Sequence, residues 1–327
     1  DSTPLGTMGG HNSQLTIDGH TDFSINANSV AGITVNSGQT LILKNIGNVT
    51  INNDGKSTSD YIINASVNGF TSSNGGFVIN SGTLTVKDSV FYNNNGSNNG
   101  GAIRNVGGTI TEITNANFIN NRADTGAAIN NSNGGTIGNI NANFVNNIGD
   151  GLQIYGAGIH NYGGTIGNIS GTFVDNSLTS TYWALGGGIY NADSSIENIS
   201  SDFIGTSITG AYLYGGAIYN ENSTVGNITG NFENNTATCT GTYLAGSVIS
   251  NSSSNTGNIT GNFKNNTATA ENGTLCGVIS NQSSTIGNIT GDFEHNILTG
   301  KTVYGVIFNQ NHSIQDITGD FKNNELS

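Results

Sequence analysis

The sequence predicts an all-β protein, a parallel β-helix built from coils of about 29 residues. Three observations predict it. A phrase close to Ile-Gly-Asn-Ile-Thr-Gly-Asp-Phe recurs, opening at Ile137, Ile166, Ile196, Val225, Thr256, Ile286 and Ile314, with a looser copy at Ile110. The Phe residues that close it, from Phe118 through Phe144, Phe173, Phe203, Phe232, Phe263 and Phe293 to Phe321, are spaced 26, 29, 30, 29, 31, 30 and 28 apart. A fixed period of that size marks one supersecondary unit stacked on copies of itself. Finally, the chain holds 49 Gly, and Asn is still more frequent, which excludes a helical solenoid because both are poor in helix interiors. A hairpin meander would bring neighbouring copies together antiparallel and would not need identical phrases. Parallel coils do, since like residues then lie over like residues at roughly 4.8 Å.

Residues 1–75 read as an N-terminal cap with irregular coils, and 76–327 as regular repeats. In the first part Leu15-Thr16-Ile17, Phe23-Ser24-Ile25, Ile33-Thr34-Val35, Leu41-Ile42-Leu43 and Val49-Thr50-Ile51 alternate as strands do. Gly76 to Phe91 forms a first degenerate coil. The unit is clearest from Gly215 onward. Gly216 to Asn220 is a short strand, and Glu221 to Ser223 a polar turn. Ile228, Gly230 and Phe232 then alternate with Thr229 and Asn231, which places the first three on the inner side. A bend at Gly226-Asn227 is expected between Val225 and Ile228, since Gly and Asn tolerate positive φ. Another follows at Asn234-Asn235, and a variable loop leads to the next Gly-Gly.

Two amide ladders are expected. One runs two residues after each strand Ile: Asn105, Asn131, Asn161, Asn191, Asn220, Asn251, Asn281 and Asn309. The other follows each Phe by three: Asn94, Asn121, Asn147, Asn176, Asn235, Asn266, Asn296 and Asn324, with Thr206 as its one break. Stacked amides donate and accept along such a series. The last residues stop in mid-repeat, so further repeats or another chain are expected to cover that end. Pro4, the only proline, lies outside the stack.

Hydrophobic residues make up 34 %, lean for a deep core but enough for a narrow one, and the regular Ile and Phe argue against disorder. With 8 Lys and Arg and a net charge of −13, a nucleic-acid partner is disfavoured. No long apolar run spans a membrane. Starting at Asp1 without a signal peptide, the chain reads as a mature exported product. Cys239 and Cys276 sit at different places of successive coils; they bridge only if the variable loop folds back, and are otherwise tucked-away thiols.

Gly-Gly-Ala-Ile at 100–103 and 215–218, together with Phe-x-x-Asn once per coil, resembles the passenger repeats of bacterial autotransporters, most of all polymorphic outer-membrane proteins and related adhesin-like surface proteins. The likeness covers roughly residues 75–327. It implies a right-handed parallel β-helix, secreted and displayed on a cell surface for adhesion or self-association. The chain departs from that pattern in lacking a C-terminal membrane barrel, so export and anchoring do not carry over.

Chemistry is sparse. Phosphate loops, nucleophile elbows, His-Glu-x-x-His and calcium nonapeptides are missing. His11, His20, His160, His295 and His312 are scattered, so no metal or other cofactor is expected. Asp292 and Asp320 precede successive Phe residues and stack one coil apart; they read as solvated face residues or, alternatively, as a pair bridged by a cation. No catalytic set emerges.

The residue after each Phe reads Ile119, Val145, Val174, Ile204, then Glu233, Lys264, Glu294, Lys322. The second half alternates in sign, so each charge has an opposite neighbour above and below. The first half forms an outward apolar stripe fit for association, unless it turns inward at a corner. Tyr182, Trp183, Tyr212, Tyr214, Tyr243 and Tyr304 lie in the variable loops. Trp183, Tyr212 and Tyr243 fall six residues before the strand Ile of three successive coils, so they stack laterally, either as a platform for sugar rings or a partner, or as packing for a protruding loop.

The expected function is non-enzymatic: an extracellular, surface-displayed adhesin or self-associating protein, partnered by itself or by a cell-surface glycan or protein. The alternative is a structural subunit of a fibre or surface layer assembled end to end. A polysaccharide-active enzyme comes third.

Overall fold

The computed structural model describes residues 85–327 except Ser97 and the side chain of Asp88, and before them the backbone of the strands between Gln14 and Leu84. It is all-β: parallel strands in stacked coils of about 29 residues, about 8 turns, a β-solenoid with no helix among the described residues. From the coil of Phe144 onward, each full coil contributes to three parallel sheets. In chain order these are an Asn sheet (for example Ile189–Ala192 and Ile218–Glu221), a Phe sheet (Thr165–Val174, Ser195–Ile204) and a Tyr sheet (Ser177–Leu185, Ser207–Tyr214). The Phe sheet continues back through Asp60–Asn68 and Thr40–Ile46 to Gln14–Asp18 in parallel register. The expected strand Ile33-Thr34-Val35 lies outside the described residues.

Three left-handed corners turn each coil. In the coil beginning at Gly186 they are Gly186 (φ 63), Asp193 (φ 49) and Gly205 (φ 66). Asn or Asp takes the corner after Phe in most coils, as at Asn120, Asn146, Asp175 and Asn234, because their short polar side chains tolerate that conformation.

The apolar ladders run where the spacing places them. Ile228, Phe232, Ile259, Phe263, Ile289 and Phe293 are all buried. From Phe91 to Phe321 successive rings stack with centroids 4.5 to 5.2 Å apart and planes within 10° of parallel. That spacing is the distance between parallel strands, so the sheet itself sets the ring contact.

Both amide ladders form. Asn105 donates to Asn131, Asn131 to Asn161 and Asn161 to Asn191, at 2.7 to 2.8 Å. The series breaks between Asn191 and Asn220 and again between Asn251 and Asn281, whose facing amide atoms are buried without a partner, and holds from Asn220 to Asn251 and from Asn281 to Asn309. In the second ladder Asn121, Asn147, Asn235, Asn266 and Asn296 each donate both to the next Asn and to the carbonyl of a Phe in the preceding coil; Asn266 does so to Asn296 and Phe232. Thr206 interrupts this ladder, and its buried Oγ1 has no hydrogen-bond partner.

Several expectations are corrected. The variable loop is a strand of the Tyr sheet. Its inner side carries Leu178 and Ala184, Ile208 and Leu213, then Ala237 and Leu244, but register shifts at Thr179/Trp183 and Gly210/Tyr212 interrupt the alternation. Bulges of this kind add residues to one strand only. Gly230 is not an inner strand residue either. It sits at a kink with φ 148, and a Cβ there would overlap the carbonyl oxygen of Ser201. The turn at Gly226-Asn227 needs no positive φ; Asn227 instead donates its backbone N–H to the Asn198 side chain of the coil before, at 2.9 Å. The charge ladder pairs once. Lys264 meets Glu294 at 3.7 Å, whereas Lys322 turns to Asp320 at 2.6 Å. Cys239 and Cys276 are free and buried, hydrogen-bonded to the Ala211 carbonyl and the Tyr243 hydroxyl.

Candidate functional site, an aromatic cleft on the side of the stack

Beside the left-handed glycine that joins the Tyr sheet to the Asn sheet, the outer surface folds inward. A Cβ on Gly215 would overlap the Ile218 carbonyl oxygen, so the tight turn depends on glycine there. Side chains that point outward from the two sheets converge over this corner. From the Tyr sheet come Tyr155, Leu185 and Tyr214, aligned in successive coils. From the Asn sheet come His160, Tyr190 and Tyr219, also in register. Tyr190 and Tyr219 are only 6 % and 4 % exposed although they face away from the core. With Leu185 and Ala192 they form a second small apolar cluster, outside the main one.

The cluster floors a cleft of about 490 Å³ walled by Trp183, Tyr212, Tyr214 and Tyr243 and edged by Glu221, Ser252 and Gln282. That is the size of a small-ligand site. One coil on from Tyr214 and Tyr219, the aligned positions shrink. Tyr214 gives way to Ala245, and Tyr219 to Ser250. The rings on the deeper side therefore end abruptly, which opens the space.

The rings are not coplanar. Tyr155 meets Tyr190 at 38°, Tyr190 meets Tyr219 at 37°, and Tyr214 meets Tyr243 at 47°. They wrap a concavity instead of forming a flat shelf. Glu221, two residues on from Tyr219 along the strand and so on the same face, accepts a 2.8 Å hydrogen bond from the Tyr190 hydroxyl. The Tyr243 hydroxyl accepts one from Gln282 at 2.8 Å. Burial first, then the charge of Glu221, pushes the phenols of Tyr190 and Tyr219 far above their ordinary value, so both stay neutral. Burial likewise lowers His160 to about 4, leaving a neutral ring that pairs with Asn130 at 3.0 Å.

The sequence-derived residues divide. Trp183, Tyr212 and Tyr243 align in backbone register as their spacing implied, but their rings pair with others, Trp183 and Tyr212 with Tyr182 and Tyr243 with Tyr214; with Tyr214 they line the cleft. Tyr182 does not line it: 41 % exposed, it stacks on Trp183 at 5.2 Å from outside. Tyr304 is exposed and packs on Phe308. Tyr155, Tyr190 and Tyr219 went unread, and Glu221, expected to open a polar turn, instead ends the strand Ile218–Glu221. Their trace in the sequence is an aromatic on each side of a left-handed glycine, as in Tyr214-Gly-Gly-Ala-Ile-Tyr219.

The apolar stripe is in register: Ile119, Val145, Val174 and Ile204 pair across successive coils. All four are half-buried and face outward. Asp292 and Asp320 are joined through the backbone. The Asp292 carboxylate accepts the backbone N–H of Asp320 at 2.8 Å and continues a series in which Asn231 and Asn262 do the same. No cluster of three or more metal-ligating side chains occurs among the described residues.

No protein-family profile matches this chain, and no curated protein and no solved structure matches it.

Proposed function

We propose that this chain is a non-enzymatic binding protein of the adhesin kind, displayed outside the cell, which holds a group of a cell-surface glycan or protein in its lateral aromatic cleft. The cleft carries this reading: neutral phenols and an indole surround a space of about 490 Å³ on the outside of a rigid stack. Aromatic rings offer large contact area at low entropic cost. The stacked acid pair that the sequence offered to an enzyme reading is engaged elsewhere, Asp292 with the Asp320 backbone and Asp320 with Lys322.

Trp183 is the only tryptophan and lines the cleft, so its fluorescence reports occupancy. Oligosaccharides and short peptides titrated into the protein are expected to give a saturable change that Tyr212→Ala abolishes while circular dichroism is unchanged. A response unaffected by Tyr212→Ala would place binding elsewhere.

A second reading, lateral self-association, rests on the register-matched stripe Ile119, Val145, Val174 and Ile204. Val145→Lys with Val174→Lys should then abolish concentration-dependent association measured by light scattering. Filaments growing along the helix axis and indifferent to these substitutions would favour the end-to-end fibre.

A further inference from the structure

The cleft is acidic as well as aromatic. Glu221 is the one charged residue lining it. The ion pairs among the described residues join Lys87 to Glu112, Arg122 to Asp150, Lys264 to Glu294 and Lys322 to Asp320, so none of them involves Glu221. Its carboxylate accepts a hydrogen bond from Tyr190, a neutral donor. A half-buried carboxylate among phenol rings carries a desolvation cost that an incoming positive charge would offset.

The rings add to that charge. An aromatic face is negative at its centre and attracts a cation held within about 6 Å of the centroid. Tyr214 packs on Tyr219 at 5.2 Å and on Tyr243 at 5.6 Å, tilted to them by 29° and 47°, so the three rings make one curved wall of the cleft. Tilted faces around a hollow suit a compact, rounded group. A flat sugar ring is better served by coplanar faces, which this wall lacks. A metal ion is poorly served too, with one carboxylate and no other anionic ligand in the lining. A quaternary or methylated ammonium is weakly hydrated, so it sheds water at less cost than a bare ammonium, and its methyl groups gain from ring contact.

We propose that the cleft binds a methylated alkylammonium head, seated among Tyr214, Tyr219 and Tyr243 and balanced by Glu221. This rests on the reading of the cleft as the binding site and names the chemical class it takes. The head would be carried by a small cation or by a modified side chain; the recognised chemistry is the same.

Choline and its uncharged isostere 3,3-dimethylbutan-1-ol test it, with Trp183 fluorescence as the readout and a trimethyllysine peptide in parallel. Choline, the peptide or both should saturate the signal, and the isostere should bind about tenfold more weakly or not at all. Glu221→Gln keeps an oxygen to accept the Tyr190 hydroxyl; it should weaken the cation severalfold and leave the isostere unchanged. Equal binding of choline and isostere would overturn the proposal, as would the absence of saturation by any of the cations at tens of millimolar. If oligosaccharides nonetheless bind in a Tyr212-dependent way, only the ligand class is wrong. If nothing tested binds there, the cleft reading falls with it.

Discussion

Two columns of aromatic rings climb this stack, one inside and one outside, and they behave differently. The inner Phe column is uniform: one ring per coil, planes within 10° of parallel, every ring from Phe91 to Phe293 fully buried. The outer Tyr column changes from coil to coil, with rings tilted by 29° to 47° and exposures from 4 % at Tyr219 to 37 % at Trp183. The same strand spacing operates on both. Inside, neighbouring coils leave a ring one place to go, so repetition is a packing requirement. Outside, a ring has room to tilt, and replacement of Tyr by Ala or Ser leaves a hollow open to solvent instead of a buried void. Repetition therefore records structure on the inner side, and departure from repetition marks the site on the outer side.

The largest expected effect tests the inner half of that contrast. Phe232→Ala removes a fully buried ring stacked on Phe203 and Phe263. It should cost about 3–5 kcal/mol in denaturant unfolding. A loss below about 1 kcal/mol would mean that the column is not the support its geometry indicates.

What was legible follows from the same division. The Ile, Phe and Asn series each place one residue type at one position of every coil, so period and burial could be read together. The Tyr sheet could not be read so. Between the aligned pairs Thr179/Thr209 and Trp183/Tyr212 one coil has an extra residue, and the inner alternation of Leu178, Ser180 and Ala184 slips out of phase with that of its neighbours. The cleft was half legible. Trp183, Tyr212 and Tyr243 share an offset from the strand Ile, whereas Tyr190, Tyr219 and Glu221 occupy positions that a strand pattern marks as solvent-facing. Only the fold of the left-handed corner at Gly186 and Gly215 brings them over the Tyr sheet.

Next in size is the amide ladder. Asn266 is fully buried, donates to Asn296 and the Phe232 carbonyl, and accepts from Asn235. Asn266→Leu would leave those partners unpaired and should cost about 1–3 kcal/mol. Unfolding at wild-type denaturant concentration would show that the ladder is dispensable.

The same ladder offers a gain. At the break, Thr206 presents a buried hydroxyl with no partner beneath Asn176, which elsewhere in the series would donate to an amide oxygen. Thr206→Asn restores that acceptor, and its own amide would reach the equivalent of the Phe carbonyl contact made by Asn176 to Phe144. A stabilisation of about 0.5–1.5 kcal/mol is expected. Destabilisation would mean that the methyl of Thr206, packed near Gly187, matters more than the missing amide.

The smallest expected effect sharpens the outer half. Trp183 is 37 % exposed, and its ring contact is with Tyr182, itself exposed, at 5.2 Å. Its backbone remains paired to Tyr212 and Gln153 whatever the side chain. Removing the indole opens no cavity in the core, because the inner positions of that strand belong to Leu178 and Ala184. Trp183→Ala should therefore change stability by no more than about 0.5 kcal/mol, as other exposed positions do. Ligand binding, followed by calorimetry since the fluorophore is gone, should fall severalfold. A loss of stability comparable to that of Phe232→Ala would make the outer column a second support of the stack, and the tilted rings would then need a structural explanation in place of a binding one.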